Sequence, residues 1–285
     1  MPKKIEGQTK DLGGFSVKRI LPQAGQRMVG PFVFLDHMGP AHFKAGDGIN
    51  VRPHPHIGLA TVSYLLKGSM LHRDSLGSIQ EIFPGDVNWM TAGKGIVHSE
   101  RETIEVRASD HELDGLQCWM ALPKGKTEID PSFFHIPKCQ LPYIHKEKLL
   151  MRLIAGEAFG KTSPVKTYSP MFYLDVTGEQ GALVERPFAD HEVAVYVQMG
   201  SIEISGERFE KGDFIVFEEQ DQVISLCENS RFLMLGGEPF EEQPFMHWNF
   251  VAYDKERIEK ARDDWQNGRF PSIPGDDEEW IPLPE

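Results

Sequence analysis

From residue 14 to about residue 120 the chain alternates short apolar runs with turn-forming residues: "GGFSVKRIL", "GPFVFLDHMGP", "LATVSYLLKGSM", "IQEIFPGDVNWM", "GIVHSERET" and "LDGLQCWMALP". Each run has strand length, and none carries the apolar stripe of a helix longer than about three turns. A looser, Pro-rich stretch, "PKGKTEIDPSFFHIPKCQLPYIHKEK", reads as an inter-domain connection, and a second β-rich block follows it. One helix is predicted, in "DKERIEKARDDWQNG": Asp254 is its N-cap, Ile258, Ala261 and Trp265 share a face, and Gly268 stops it. The tail "RFPSIPGDDEEWIPLPE" reads as extended, with Trp280 and Ile281 packing back onto the body.

The two β blocks share a skeleton. "YLLKGSM" from Tyr64 and "YVQMGSI" from Tyr196 both run Tyr-x-x-x-Gly-Ser, and Gly85-Asp86 downstream matches Gly212-Asp213. Strand, Gly turn, strand, Gly-Asp turn, strand, repeated, predicts a duplicated β-barrel, because Gly and Asp supply tight turns between antiparallel strands. The expected fold class is therefore all-β, with a barrel in residues 1–135, a second in 136–285, and a short C-terminal helix.

The chemistry concentrates in the first block. In a strand, residues i and i+2 point to one face. In "RPHPHIGLATVSYLLKG" His54 and His56 therefore aim together, and continued alternation puts Ala60, Val62 and Tyr64 on their side, with Thr61 and Ser63 opposite. Two inward imidazoles in an apolar barrel need partners or a cation. "GKGIVHSER" supplies His98 and Glu100 at the same spacing. Three imidazoles and one carboxylate without a thiolate suit one borderline divalent ion: Fe(II), Mn(II), Ni(II), Cu(II) or Zn(II). Moved by the Tyr64-to-Tyr196 offset, His54 and His56 fall on Arg186 and Phe188; moved by the Gly85-to-Gly212 offset, His98 and Glu100 fall on Ser225 and Cys227. All four candidate ligands are missing from the second copy while its turns persist, so the fold does not require them.

Composition narrows the function classes. Among 285 residues, Lys+Arg 30 against Asp+Glu 43 leaves a net charge of -13. Such a chain gains little from counterion release on nucleic acid, and an anionic membrane surface repels it. No run approaches the ~18 to 20 apolar residues of a membrane span, and "MPKKIEGQTKDLGG" lacks the apolar core of a secretory signal. Cys118, Cys139 and Cys227 are odd in number and widely spaced, which argues against a disulfide framework and for a reducing, cytoplasmic setting.

The runs "FLDHMGP", "RPHPHIGLATVSYLLKGS", "PGDVNWMTAGKGIVHSE", "GLQCWMALP" and "HWNFVA" carry a resemblance. The sequence is similar to pirin, a two-domain member of the cupin superfamily, over nearly its whole length and most densely in residues 30 to 122. The resemblance implies a bicupin of two tandem double-stranded β-helix (jelly-roll) barrels. It also implies a non-haem iron site, Fe(II) first among the candidate ions, held by His54, His56, His98 and Glu100 in the first barrel, and a metal-free second barrel. It implies quercetin 2,3-dioxygenase-like activity on O2 and a small phenolic, flavonol-like substrate, with Glu100 also serving as the base. The alternative it carries is an iron-binding, redox-sensing regulator of a protein partner, in which catalysis is incidental. It leans towards a monomer. One departure stands out: Ala60 occupies the place of a glutamate that follows HxH in the general cupin pattern. Asp36 and His37 are expected to hold a loop, Trp89 and Met90 to lie near the site or in the core, and Cys118 to be a buried apolar residue.

Overall fold

The computed structural model describes residues 1–11 and 15–284. Gly13 and Gly14, which begin the first expected run, lie outside the described residues. The rest of that run forms the strand Ser16–Leu21, and every other apolar run quoted above forms a strand. Phe32–Phe43, Leu59–Lys67, Val87–Thr91 and His111–Ala121 belong to a seven-stranded sheet, and Asn50–His56, Ile96–Arg101, Met70–Asp74 and Ile79–Ile82 form a four-stranded one. The second block repeats this division. Its larger sheet includes Glu192–Met199, Phe214–Val216 and Ser230–Gly237, and its four-stranded sheet orders Leu183–Glu185, Val223–Leu226, Ser201–Ile204 and Glu207–Glu210. Strand pairing throughout both barrels is antiparallel, as a jelly roll requires.

The duplication reaches down to single residues. Tyr64 and Tyr196 are both buried, and Gly68 and Gly200 turn the chain at φ of 77° and 75°. Gly85 and Gly212 do the same at 87° and 92°. Only a residue without Cβ takes such angles freely. Even an irregularity recurs: the ladder slips between Asp114 and Gly115 opposite Leu65, and again between Val197 and Met199 opposite Phe232. The second barrel is filled by apolar side chains, among them Phe172, Phe209, Phe232, Ile204 and Ile224, all nearly inaccessible.

The chain divides into two compact units, but not at one cut. One comprises Thr9–Arg19, Phe34–Lys138 and Glu241–Glu285; the other comprises Met1–Gln8, Ile20–Val33 and Cys139–Phe240. The expected split into 1–135 and 136–285 thus needs correcting at the ends, because each terminus joins the opposite barrel. The N-terminal strand Lys3–Ile5 pairs with Phe214–Val216 in the second barrel, completing that sheet's edge. The helix Lys255–Gln266 belongs with the first barrel, its Ile258 and Ala261 buried against Ile57 and Phe250. Its N-cap is as expected: Asp254 accepts a hydrogen bond from Glu256 N at 2.9 Å. In the tail, Ile281 N donates to Pro53 O at 2.9 Å, whereas Trp280 remains 58% exposed and is only partly covered.

The Pro-rich connection is shorter than its composition suggests. Ser132–Ile136 pairs with Val87–Thr91 in the first barrel, and Tyr143–Lys146 pairs with Leu149–Ala158 in the second. Among the described residues no helix is long and apolar enough to cross a membrane.

Candidate metal centre

The strand Ile96–Arg101 lies between Asn50–His56 and Met70–Asp74, and its register assembles the site. His98 stands opposite His54, and Ile96 opposite His56. On that side the ladder shifts between His98 and Glu100, so that Glu100 falls opposite Val51, while in the regular ladder on the other side Glu100 stands opposite His72. One potential ligand atom from each of His54, His56 and His98 lies within 4.8 Å of the other two, and all three residues are buried. Glu100 is beside this group but not part of it. Its Oε1 accepts hydrogen bonds from Ser63 Oγ at 3.1 Å and Gln117 Nε2 at 2.9 Å, leaving Oε2 out of both.

The imidazoles are poised as lone-pair donors. Burial pushes the pKa of His54 down to about 4, and burial reinforced by neighbouring imidazoles holds His56 and His98 well below the ordinary value, so all three are neutral near pH 7. His54 Nδ1 donates to Arg52 O at 2.8 Å, which leaves Nε2 as its ligand atom. Both ring nitrogens of His56 and Nε2 of His98 are buried without a hydrogen-bond partner of normal geometry; the nearby Asn249 backbone opposes the lowering of the His56 pKa without overcoming it. A buried polar atom left unpaired costs about 1–3 kcal/mol. His56 and His98 carry that penalty, and one nitrogen from each, together with Nε2 of His54, makes a three-nitrogen donor set that a borderline divalent cation would satisfy. Glu100 moves the opposite way: burial raises its pKa, opposed by His72, Gln117 and Ser63.

The surroundings contain residues that motif reading passed over. His72 Nδ1 lies 3.4 Å from His98 Nδ1, and its Nε2 lies 2.9 Å from Asp74 Oδ2. Burial pushes the Asp74 carboxyl up, but hydrogen bonds from His72 and from the Ser78 backbone outweigh it and hold the pKa below its ordinary value. Phe133, from the segment read as connection, stacks on His72 at 4.1 Å. Trp119 meets His56 edge-on at 4.9 Å and stacks on Phe34 at 3.8 Å, with the Arg19 guanidinium over the far ring. The signal for His72 and Asp74 was the i, i+2 pair in "HRD", the same spacing that marked His54 and His56.

Alternation from His56 into the next strand does not survive. The chain leaves one sheet and enters the other at Ile57–Gly58, where Gly58 has φ of 67° and a Cβ would meet Val251 O at 1.9 Å. After this corner Ser63, not Tyr64, shares the side of Glu100 and Gln117. Across the ladder Thr61 pairs with Met90 and Trp119, so Met90 is on the site's side, whereas Trp89 pairs with Val62 on the other. Ala60 also lies on the other side, paired with Met120. Asp36 takes a bidentate ion pair from Arg19 at 2.8 Å, and His37 Nε2 contacts Asp114 at 2.8 Å; both hold the scaffold rather than the imidazole group. Cys118 is buried, as expected. An apolar cavity of about 440 Å³ lies elsewhere: Trp265, Phe270, Trp280 and Ile273 line it on the outer face of the ligand strands, against Pro53 and Val97.

Strand pairing also revises the second barrel's counterparts. Glu100 lies opposite His72, and the hairpin aligned on Tyr196 puts Ile204 in the place of His72, with Ile224 opposite it. Arg186 N donates to Gln222 O at 2.9 Å, the pairing that His54 and His98 make. The positions of His98 and Glu100 are therefore held by Gln222 and Ile224, upstream of the expected Ser225 and Cys227. Arg186 and Phe188 remain the counterparts of His54 and His56. None of the four is a histidine or an acid.

Comparison with known proteins agrees with this architecture. The family model described as Pirin matches residues 14–120, and that of the Pirin C-terminal cupin domain matches residues 173–271. A pirin-like protein of Caulobacter vibrioides is 47% identical, over 99% of this chain and 98% of that one. A crystal structure of quercetin 2,3-dioxygenase from Acinetobacter baumannii superposes with a TM-score of 0.91 at 35% identity, covering 100% of this chain and 95% of that one. A bacterial pirin from Escherichia coli in complex with nickel(II) shares the fold, with a TM-score of 0.67 at 19% identity, over 84% of this chain and 100% of that one. With both barrels matched in order and a relative nearly half identical from end to end, the chain belongs to the pirin family of bicupins.

Proposed function

We propose that the protein is a metal-dependent dioxygenase that opens the heterocycle of a flavonol with O2, in the manner of quercetin 2,3-dioxygenase. The observation that carries this reading is the group of three buried, neutral imidazoles, two of them with unpartnered nitrogens, beside a buried carboxylate. Support comes from the 35% identity to a quercetin 2,3-dioxygenase over the whole chain. His54, His56 and His98 would hold the ion, Fe(II) in our reading, and Glu100 would add the carboxylate. The same donors accept Mn, Ni, Cu or Zn. Such an ion supplies Lewis acidity towards an anionic substrate oxygen and the electronic means to react with O2.

The chain's own residues do the rest. Glu100, its affinity for protons raised by burial, takes the 3-hydroxyl proton of the flavonol. Ser63 and Gln117 grip Oε1 and so fix the carboxyl plane, leaving Oε2 for the proton. Trp119 and Met90 present apolar surface on the site's side. Removing that proton makes the flavonol electron-rich at C2. O2 then bonds to C2 and closes on the C4 carbonyl, and the C2–C3 and C3–C4 bonds break. C3 leaves with its oxygen as carbon monoxide, while both oxygen atoms of O2 stay in the ring-opened ester.

Protein loaded anaerobically with ferrous salt is expected to consume O2 and release carbon monoxide from quercetin, and Glu100→Gln to lose most of that turnover. Full turnover by Glu100→Gln overturns the role of Glu100. Absence of turnover in the loaded wild-type protein, together with capture of a partner that depends on the redox state of the metal, would favour the regulatory reading.

A further inference from the structure

His98 has a ring nitrogen on each side, and only one of them can carry the proton in the neutral ring. We propose that Asp74 and His72 form a relay that fixes the tautomer of His98, holding the proton on Nδ1 so that the Nε2 lone pair faces His54 and His56. The inference deepens the metal-site reading and rests on it.

The relay is built from the outside in. Asp74 is wholly buried, and its Oδ1 accepts two backbone N–H groups, Leu76 N at 2.9 Å and Ser78 N at 3.0 Å. Those donors fix the carboxylate, and its other oxygen, Oδ2, lies 2.9 Å from His72 Nε2. A carboxylate offers no proton, so the proton of that hydrogen bond is on His72 Nε2. In the neutral ring His72 Nδ1 is then a lone pair, and it lies 3.4 Å from His98 Nδ1. A lone pair there calls for N–H on the His98 side, which leaves Nε2 of His98 unprotonated, and Nε2 is the buried atom without a partner. Stacking of Phe133 on His72 at 4.1 Å keeps that ring from turning. His54 reaches the same end by a shorter route, donating Nδ1–H straight to Arg52 O. His98 has His72 where His54 has a carbonyl, and His72, unlike a carbonyl, can present either a proton or a lone pair. Asp74 decides which, so His72 and Asp74 are positioning residues.

Asp74→Asn tests the relay with little change of shape. The amide oxygen must stay on Leu76 N and Ser78 N, so the NH2 group turns to His72 Nε2 and makes it an acceptor. His72 then carries its proton on Nδ1, facing His98, and drives the His98 proton to Nε2, the atom meant for the metal. Long-range 1H–15N correlation on metal-free, histidine-labelled protein reads the tautomers directly, and Ni(II) affinity by chelator competition reads the consequence. Expected are Nδ1–H on His98 and Nε2–H on His72 in the wild type, reversal of both in Asp74→Asn, and a roughly 10–100-fold loss of Ni(II) affinity. Finding the His98 proton on Nε2 in the wild-type protein overturns the proposal, and so does native Ni(II) affinity in a folded Asp74→Asn. If Asp74→Asn does not fold, the wild-type tautomers decide alone. A wild-type protein that binds no divalent ion would instead refute the metal site, while its tautomers would still support or overturn the relay.

Discussion

The two barrels share their turns, their strand order and even a ladder irregularity, yet they differ in what fills the same four positions. Where the first has His54, His56, His98 and Glu100, the second has Arg186, Phe188, Gln222 and Ile224. Around Ile224 the second barrel packs Ile202, Ile204 and Leu226 into a continuous apolar core. The first instead buries imidazole nitrogens that no protein group satisfies. One copy has thus kept stability at a place where the other has given some up for a ligand site, and the backbone tolerates both. The glycine turns and cross-strand register carry the fold, while the inward side chains of the smaller sheet are free to specialise.

Breaking this contrast should have its largest effect at a ligand. His98→Ala is expected to abolish metal binding, well beyond the roughly 10–100-fold cost of losing an outer hydrogen-bond partner; Gln222→Ala, at the equivalent place, should leave it unchanged. Metal content after reconstitution and dialysis measures both. Next, Phe232→Ala should cost about 3–5 kcal/mol in denaturant unfolding, because its ring is fully buried in the second core, without altering metal affinity per folded molecule.

Acid should then separate the barrels. The folded pKa of His54 is about 4, against an ordinary value of 6.5, so below pH 6.5 the unfolded chain takes up a proton that the folded chain refuses. Its contribution to metal-free stability is present above pH 6.5, falls as pH drops towards 4, and amounts to about 3 kcal/mol at most. His56 and His98 act in the same direction. Glu100 opposes them, because its raised pKa makes the folded form lose stability as pH rises above 4.5. The difference in unfolding free energy between wild type and His54→Leu, followed from pH 7 to pH 4, isolates the histidine effect. Wild type should lose stability relative to His54→Leu as the pH falls. Smallest, and opposite in sign to most core changes, is His56→Leu: by removing two orphaned nitrogens it should stabilise the metal-free protein by about 1–3 kcal/mol, measured by the same denaturant titration.

How far the site was readable depends on the distance over which each signal acts. His54 with His56, and His98 with Glu100, are legible because alternation along one strand fixes the facing of neighbours two apart. The same rule failed from His56 to Ser63, because the chain changes sheets at Gly58 and the alternation restarts. A fixed offset failed in the second barrel, where the turn before Val223–Leu226 shortens and the counterparts of His98 and Glu100 slide upstream. Phe133 was hidden for another reason. A Pro-rich stretch has the composition of a linker, yet cross-strand pairing with Met90 makes part of it an edge strand of the first barrel.

The chain's own order of residues was enough to establish the all-β class, the duplication, the helix with its Asp254 cap, and the candidate ligands, since each depends on spacing or turn chemistry within a few residues. Tertiary structure alone decided that the termini join opposite barrels, that Glu100 is held by Ser63 and Gln117, and that Asp74 and His72 stand behind His98. Those outcomes hang on which strands lie side by side and in what register, and local preference does not contain that information: a slip of one residue leaves every turn intact while turning each side chain to the other face.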